Sequence, residues 1–182
     1  VSCTGPRASY DESKRLAETL CMTYFREFGT AVKIVRPFNV YGPGLHPDDG
    51  RVISDFIKNS LVKGEVVLYS DGRPTRSFCY ISDAIRGFFR VLLSSHNGQP
   101  FNIGNDEEIS MLNVAKIIQE HITGLNIKFE THPDKDYTVD NPQRRCPDLT
   151  KIKNLTSYVP SVKLKQGLSI MIDWYKYVLN IK

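Results

Sequence analysis

Long apolar runs are missing from this sequence, and stretches such as Val66-Val67-Leu68-Tyr69 are far too short to cross a bilayer. Nor does a signal-peptide pattern open the chain. These two absences predict a soluble protein acting in the cytoplasm. Cysteine is scarce and scattered: Cys3, Cys21, Cys79 and Cys146 form no C-x-x-C pair, which argues against a zinc site and for reduced thiols. His46, His96, His121 and His132 have no metal-ligand spacing either. No block of like charge interrupts the chain. A formal charge of +4, with Lys and Arg spread evenly, points to local cationic pockets for anionic ligands and away from nucleic acid. Internal repeats and low-complexity tracts are also absent.

What remains is ordinary for a globular protein, at 182 residues with 41% apolar and 24% charged residues. Residues 9–28 carry a helical stripe, Leu16, Ala17, Leu20, Tyr24 and Phe28, with Ser9 and Glu12 spaced as a capping box and Gly29 as the stop. Residues 31–36 read as a strand, and the Gly/Pro-rich stretch 37–44 as the loop that follows. Further on, the spacing predicts a helix over 52–62 ending at Gly64, strands over 65–69 and 77–81, and a helix capped by Ser82 or Asp83. A brief strand follows at 101–104, then a helix capped by Ser110, a strand at 126–130, a long polar loop over 132–145, and a final helix over 164–179. In that final helix Leu168, Met171, Ile172, Tyr175 and Leu179 share one face, and Trp174 is expected in the core. Strands alternating with helices predict an α/β fold built on a parallel sheet, with ligands at the loop edge.

Tyr10 and Lys14 stand four residues apart on the first helix, so phenol and ammonium share a face. An ammonium beside a phenol favours the phenolate, which turns a weak acid into a usable base near neutral pH. Alone, two common residues at helical spacing are more often a surface pair. Their company decides otherwise. Arg36-Pro37-Phe38-Asn39-Val40-Tyr41-Gly42-Pro43, Asp49-Gly50-Arg51-Val52, Tyr69-x-Asp71-Gly72, Thr75-Arg76-Ser77-Phe78, Asn102-Ile103-Gly104 and Arg145-Cys146-Pro147-Asp148 follow in that order.

This run resembles the extended short-chain dehydrogenase/reductase family of nucleotide-sugar epimerases, dehydratases and decarboxylases, and it covers nearly the whole chain. Within that family Tyr10-Asp11-Glu12, Lys14-Arg15, Ala17-Glu18-Thr19 and Thr75-Arg76-Ser77-Phe78-Cys79-Tyr80 are most similar to the UDP-glucuronate decarboxylases. The resemblance implies the C-terminal part of a doubly wound, Rossmann-like parallel sheet plus a smaller α/β substrate lobe. Residues 1–43 would end the NAD-binding domain. Residues 44–182 would mainly form the nucleotide-sugar lobe, with some strands returning to the main sheet.

It implies chemistry that begins with oxidation at the sugar C4, Tyr10 taking the hydroxyl proton while hydride passes to NAD, and Lys14 holding the nicotinamide ribose. Pro37 and Asn39 would line the nicotinamide and sugar-phosphate site, and Arg51 and Val52 would lie against the nucleotide. Tyr69 would stack on the base, and Arg76 and Arg145 would grip the pyrophosphate. A homodimer paired through two helices, one of them the Tyr10 helix, is implied for the full-length protein, with a UDP- or dTDP-linked sugar as substrate.

Two positions depart from the decarboxylase pattern: Ser13 replaces a glycine, and Gly44 replaces an arginine placed near the sugar carboxylate. A missing guanidinium fork removes a bidentate carboxylate clamp, so a dTDP-glucose 4,6-dehydratase or a 4-epimerase stays open. The chain opens on Val1, without the glycine-rich dinucleotide turn with which family members begin. We therefore expect an upstream half, or else a nucleotide-sugar-binding module without turnover.

Overall fold

The computed structural model describes residues 3–6, 8–132 and 142–181. Its first helix, α1 (Ala8–Phe28), ends at Gly29, which takes φ +64° and donates its N–H to the Phe25 carbonyl. The helix starts one residue before Ser9, so Ser9 is helical and not the expected cap. No residue of α1 is buried, and Leu16, Leu20, Tyr24 and Phe28 are all more than half exposed.

Strand β1 (Ile34–Pro37) is shorter than the expected strand because residues 31–33 lie outside the ladder. The following loop contains a two-residue strand, β2 (Val40–Tyr41). Helix α2 (Val52–Lys63) buries Ile53, Phe56, Ile57 and Ser60, an i, i+3, i+4, i+7 face, and stops at left-handed Gly64. Next come β3 (Glu65–Leu68), which turns Val66 and Leu68 inward, and β4 (Thr75–Ser77). The strand expected over 77–81 is divided at Phe78, with β5 (Cys79–Tyr80) leading straight into α3 (Ile81–Leu92). Strand β6 (Pro100–Ile103) precedes β7 (Glu108–Ser110) and α4 (Met111–His121), and the Ser110 hydroxyl caps α4 by accepting from Asn113 N at 3.2 Å, as expected. Strand β8 (Asn126–Phe129) follows. Of the expected long loop, residues 133–141 lie outside the described residues, and its end forms β9 (Arg144–Arg145). Helices α5 (Thr150–Thr156), which has no sequence-based counterpart above, and α6 (Leu164–Val178) complete the chain.

The pairs β1–β6, β2–β5 and β3–β8 are parallel, and β7–β4–β9 forms a mixed three-stranded sheet. Two cores result. The larger joins Ile53, Phe56 and Ile57 of α2 to Val66 and Leu68 of β3, Val114 and Ile118 of α4, and Leu168, Met171, Ile172 and Tyr175 of α6, with Trp174 packed at its edge. The smaller joins Cys79, Ala84, Val91, Phe101, Ile103, Ile152 and Tyr158. Within it, the Tyr158 hydroxyl donates to the Gly104 carbonyl at 2.8 Å, and burial pushes the Cys79 thiol up to about 11. Gly87 lets α3 lie against β6, since a Cβ there would come within 2.8 Å of Ile103.

Asp83 is not the cap of α3. Tyr80 occupies that position, and the Asp83 side chain, only 1% exposed, accepts from the backbone N–H groups of Ser161 and Val162 at 3.0 Å each, from the Ser161 hydroxyl, and from Arg86.

Candidate functional site

Position 10 falls in the first turns of α1, and Lys14 follows one turn later, its Nζ 5.4 Å from the centroid of the Tyr10 ring. Tyr10 is 59% exposed. The helix that presents this pair is tied to the sheet by Glu18, which receives two hydrogen bonds from the Arg36 guanidinium, one of them 2.6 Å long. That guanidinium holds the Glu18 carboxyl below the usual carboxylate range. Arg36 immediately precedes Pro37, which stands exposed at the carboxyl end of β1, the end of a parallel strand where open α/β sheets bind ligands.

Asn39 follows with φ +42°, a backbone region that asparagine tolerates. Its Nδ2 donates to the Ser77 carbonyl at 2.7 Å, and its own carbonyl accepts from Cys79 N at 3.2 Å. Asn39 therefore fastens the loop after β1 to the junction of β4 and β5.

Three of the remaining candidates, Val52, Tyr69 and Arg76, line a cavity of about 220 Å³. Val52 and Phe56 of α2 form one wall, Val67, Leu68, Tyr69 and Ser70 another, and Pro74, Arg76 and Gln143 close it. Val52, Tyr69 and Arg76 are thus brought together although 24 positions separate the first from the last. The Tyr69 ring meets His132 edge-on, centroids 4.6 Å apart at 81°. Arg76 bonds the Thr75 carbonyl at 2.8 Å. On β9, Arg145 is the direct cross-strand partner of Arg76.

Arg51 behaves differently. It occupies the N-cap position of α2, where its backbone is extended, and its guanidinium pairs with Asp49 at 2.7 Å. It does not line the cavity, and neither do Arg145, Tyr10, Lys14, Pro37 or Asn39.

The cavity lining combines one guanidinium, that of Arg76 on β4, with the apolar side chains of Val52, Phe56 and Leu68 and the Tyr69 ring, a combination suited to an anionic ligand carrying a flat ring. Residues 2–104 match the NAD dependent epimerase/dehydratase family.

The chain belongs to this family.

Among curated relatives, UDP-glucuronic acid decarboxylase 4 of Arabidopsis thaliana is 46% identical over 97% of this chain and 39% of its own length. UDP-glucuronic acid decarboxylase 1 of Xenopus tropicalis is 39% identical over 99% of this chain and 42% of its own. The chain therefore spans about two-fifths of the length of these epimerase-family relatives. A UDP-glucuronic acid 4-epimerase from Bacillus cereus, solved with UDP-glucuronic acid and NAD, superposes with a TM-score of 0.77 at 30% identity, over 88% of this chain and 50% of that one. Pal from Bacillus thuringiensis superposes with a TM-score of 0.84 at 28% identity, over 95% and 54%. The fold is the C-terminal part of the doubly wound architecture of this family.

Sequence reasoning missed Glu108 and Arg144, which join Thr75 in one cluster beside the cavity: Glu108 accepts from the Thr75 hydroxyl and from Arg144. The period-2 alternation around Glu108-Ile109-Ser110 was the available signal.

Proposed function

We propose that this chain is the substrate-side, C-terminal part of an NAD-dependent nucleotide-sugar-modifying enzyme similar to UDP-glucuronate decarboxylase. Residues 1–43 close the dinucleotide-binding domain, and residues 44–182 form mainly the nucleotide-sugar lobe, with β6 returning to pair with β1. The observation that carries this reading is the cavity where Val52, Tyr69 and Arg76 converge, with Arg145 in register beside Arg76. Arginines on neighbouring strands in register suit a diphosphate, and the aromatic ring that lines the same cavity as Arg76 suits a nucleobase.

Tyr10 and Lys14 fit the nicotinamide end of the cofactor, because the pair lies exposed on α1 and α1 is pinned beside the carboxyl end of β1. When bound, NAD supplies the hydride acceptor for oxidation at the sugar C4. Tyr10 takes the proton from the C4 hydroxyl and later returns it. Lys14 would hold the cofactor ribose through its ammonium, and Pro37 would border the nicotinamide. Arg51 and Asn39 border the substrate from the loop side.

A UDP-linked sugar is the expected ligand. Titration with UDP followed by NMR should give saturable shifts around Tyr69 and Arg76, and Arg145→Ala should weaken binding by about tenfold or more, the loss expected for charge-assisted hydrogen bonds. No saturable binding, or unchanged affinity in Arg145→Ala, overturns the assignment. The 182-residue chain by itself should show no NAD-dependent turnover of a UDP- or dTDP-sugar, and measurable turnover would contradict the need for a further dinucleotide-binding part.

A second reading, a 4-epimerase or dTDP-glucose 4,6-dehydratase, draws on Gly44. Its φ of +95° lies where L side chains rarely sit, so the arginine of the decarboxylases is not accommodated by this loop backbone. Product analysis with UDP-glucuronate separates the two, since only the decarboxylase releases carbon dioxide.

The exposed Leu16, Leu20, Tyr24 and Phe28 on α1 support a homodimer of the full-length protein. No helix among the described residues is long and apolar enough to cross a membrane.

A further inference from the structure

Strand β9 is two residues long, and little in its backbone explains why Arg145 should hold one orientation. Its neighbourhood supplies the explanation. Thr75 pairs with Arg144 and Arg76 with Arg145 in the parallel β4–β9 ladder, while Thr75 pairs with Ser110 and Ser77 with Glu108 in the antiparallel β4–β7 ladder. Side chains alternate along each strand, so Thr75, Arg144 and Glu108 share one face of this sheet and Arg76 and Arg145 the other.

On the first face the three polar side chains close on one another. The Glu108 carboxylate accepts from Arg144 Nε at 2.9–3.0 Å and from its NH2 group at 2.8 Å, a two-pronged pair, and from the Thr75 hydroxyl. These contacts hold the Glu108 carboxyl below the usual carboxylate range, the Thr75 hydroxyl contributing most. Glu108 is itself fixed, because two residues later Ser110 caps α4 and Met111 N donates to the Pro74 carbonyl at 3.1 Å. Three strands are thereby stitched by side chains where the ladder is shortest.

We propose that Glu108 is a positioning residue: by clamping Arg144 to Thr75 on one face of the β7–β4–β9 sheet, it fixes the register that presents Arg145 beside Arg76 on the other, toward the diphosphate of the ligand. The inference rests on the diphosphate reading given under Proposed function. Arg144 accordingly belongs to the clamp, not to the ligand grip, although it is the more exposed arginine of the pair.

The clamp and simple electrostatics predict opposite signs. Removing a carboxylate near a phosphate site should tighten anion binding if only charge mattered, whereas loss of the clamp should loosen it. Affinity for UDP and for uridine is measured by NMR titration on the full chain, for the unaltered protein, Glu108→Ala, and the swapped pair Glu108→Arg with Arg144→Glu. Glu108→Ala should bind UDP about fivefold more weakly, bind uridine as before, and keep its thermal midpoint nearly unchanged, as expected for an exposed ion pair. The swapped pair should return UDP affinity to within about twofold of the original. Unchanged or tighter UDP binding in Glu108→Ala, an equal loss for uridine, or no recovery in the swapped pair overturns the inference. Failure of the unaltered chain to bind UDP at all instead overturns the diphosphate reading, and the clamp's role falls with it.

Discussion

Under the proposed nucleotide-sugar chemistry, replacing Tyr10 by phenylalanine in the full-length protein is expected to lower turnover by about 10²–10⁴-fold, the range contributed by a positioned acid–base group. The substitution deletes one hydroxyl on a residue that is 59% exposed, so little packing is lost and the fold should persist. Tyr10 is also absent from the cavity lining, so UDP affinity should stay within about twofold of the original. That separation between turnover and affinity is what distinguishes a proton-transfer role from a structural one. Lys14→Met should reproduce much of the loss, because it removes the ammonium that lies 5.4 Å from the ring centroid and the donor proposed for the ribose. Steady-state kinetics with UDP-glucuronate, paired with UDP titration, check both variants. A Tyr10→Phe protein that keeps its turnover removes Tyr10 from the chemistry, and one that loses UDP affinity in parallel points to a structural defect.

The parts of this fold that could be read from sequence are those whose signals are local. Helix α2 has an apolar face of three residues and a left-handed glycine at its end, and both were legible. The Ser110 cap of α4 was legible for the same reason. Helix α5 was not, because a seven-residue helix with one buried residue, Ile152, and no side-chain cap has no periodicity to detect. Strands β7 and β9 exist through their cross-strand partners, which lie more than 30 residues away in sequence for each. The polar stretch that ends in Arg144 and Arg145 therefore reads as loop until β4 is placed beside it.

The site shows the same division. Tyr10 with Lys14, Tyr69, and Arg76 with Arg145 were named from sequence because each sits in a motif whose order resembles a known family. The meeting of Val52, Tyr69 and Arg76 was not legible, since they reach one cavity only after α2, β3 and β4 have packed. Glu108 and Arg144 escaped because a charged pair formed across a sheet, from its two edge strands, looks in one dimension like two solvated surface residues. Asp83 was misassigned for a related reason: an acidic residue near a helix start is usually a cap, and only the return of residues 161–162 to its carboxylate reveals another use.

That return makes Asp83→Ala the substitution with the largest expected effect on stability. A carboxylate at 1% exposure is costly unless its acceptor sites are filled, and here they are filled by Ser161 N, Val162 N, the Ser161 hydroxyl and Arg86. Alanine deletes all four bonds and leaves the Arg86 guanidinium without its nearest carboxylate. A loss of about 3 kcal/mol is expected, in the range for breaking a buried, multiply hydrogen-bonded charge, and corresponds to a fall of roughly 10 °C in the thermal midpoint for a chain of this size. Asparagine keeps one oxygen of the two and should lose about half as much. Because residues 161–162 lead directly into α6, the damage should reach the larger core through Leu168 and Met171, and amide exchange should rise first in the opening turns of α6. Arg86→Ala should cost only about 1 kcal/mol, since that side chain is half exposed and the two backbone N–H groups still serve the carboxylate. Urea unfolding of the three variants checks the ranking, and an Asp83→Ala protein within about 0.5 kcal/mol of the original would show that the tether to α6 is dispensable.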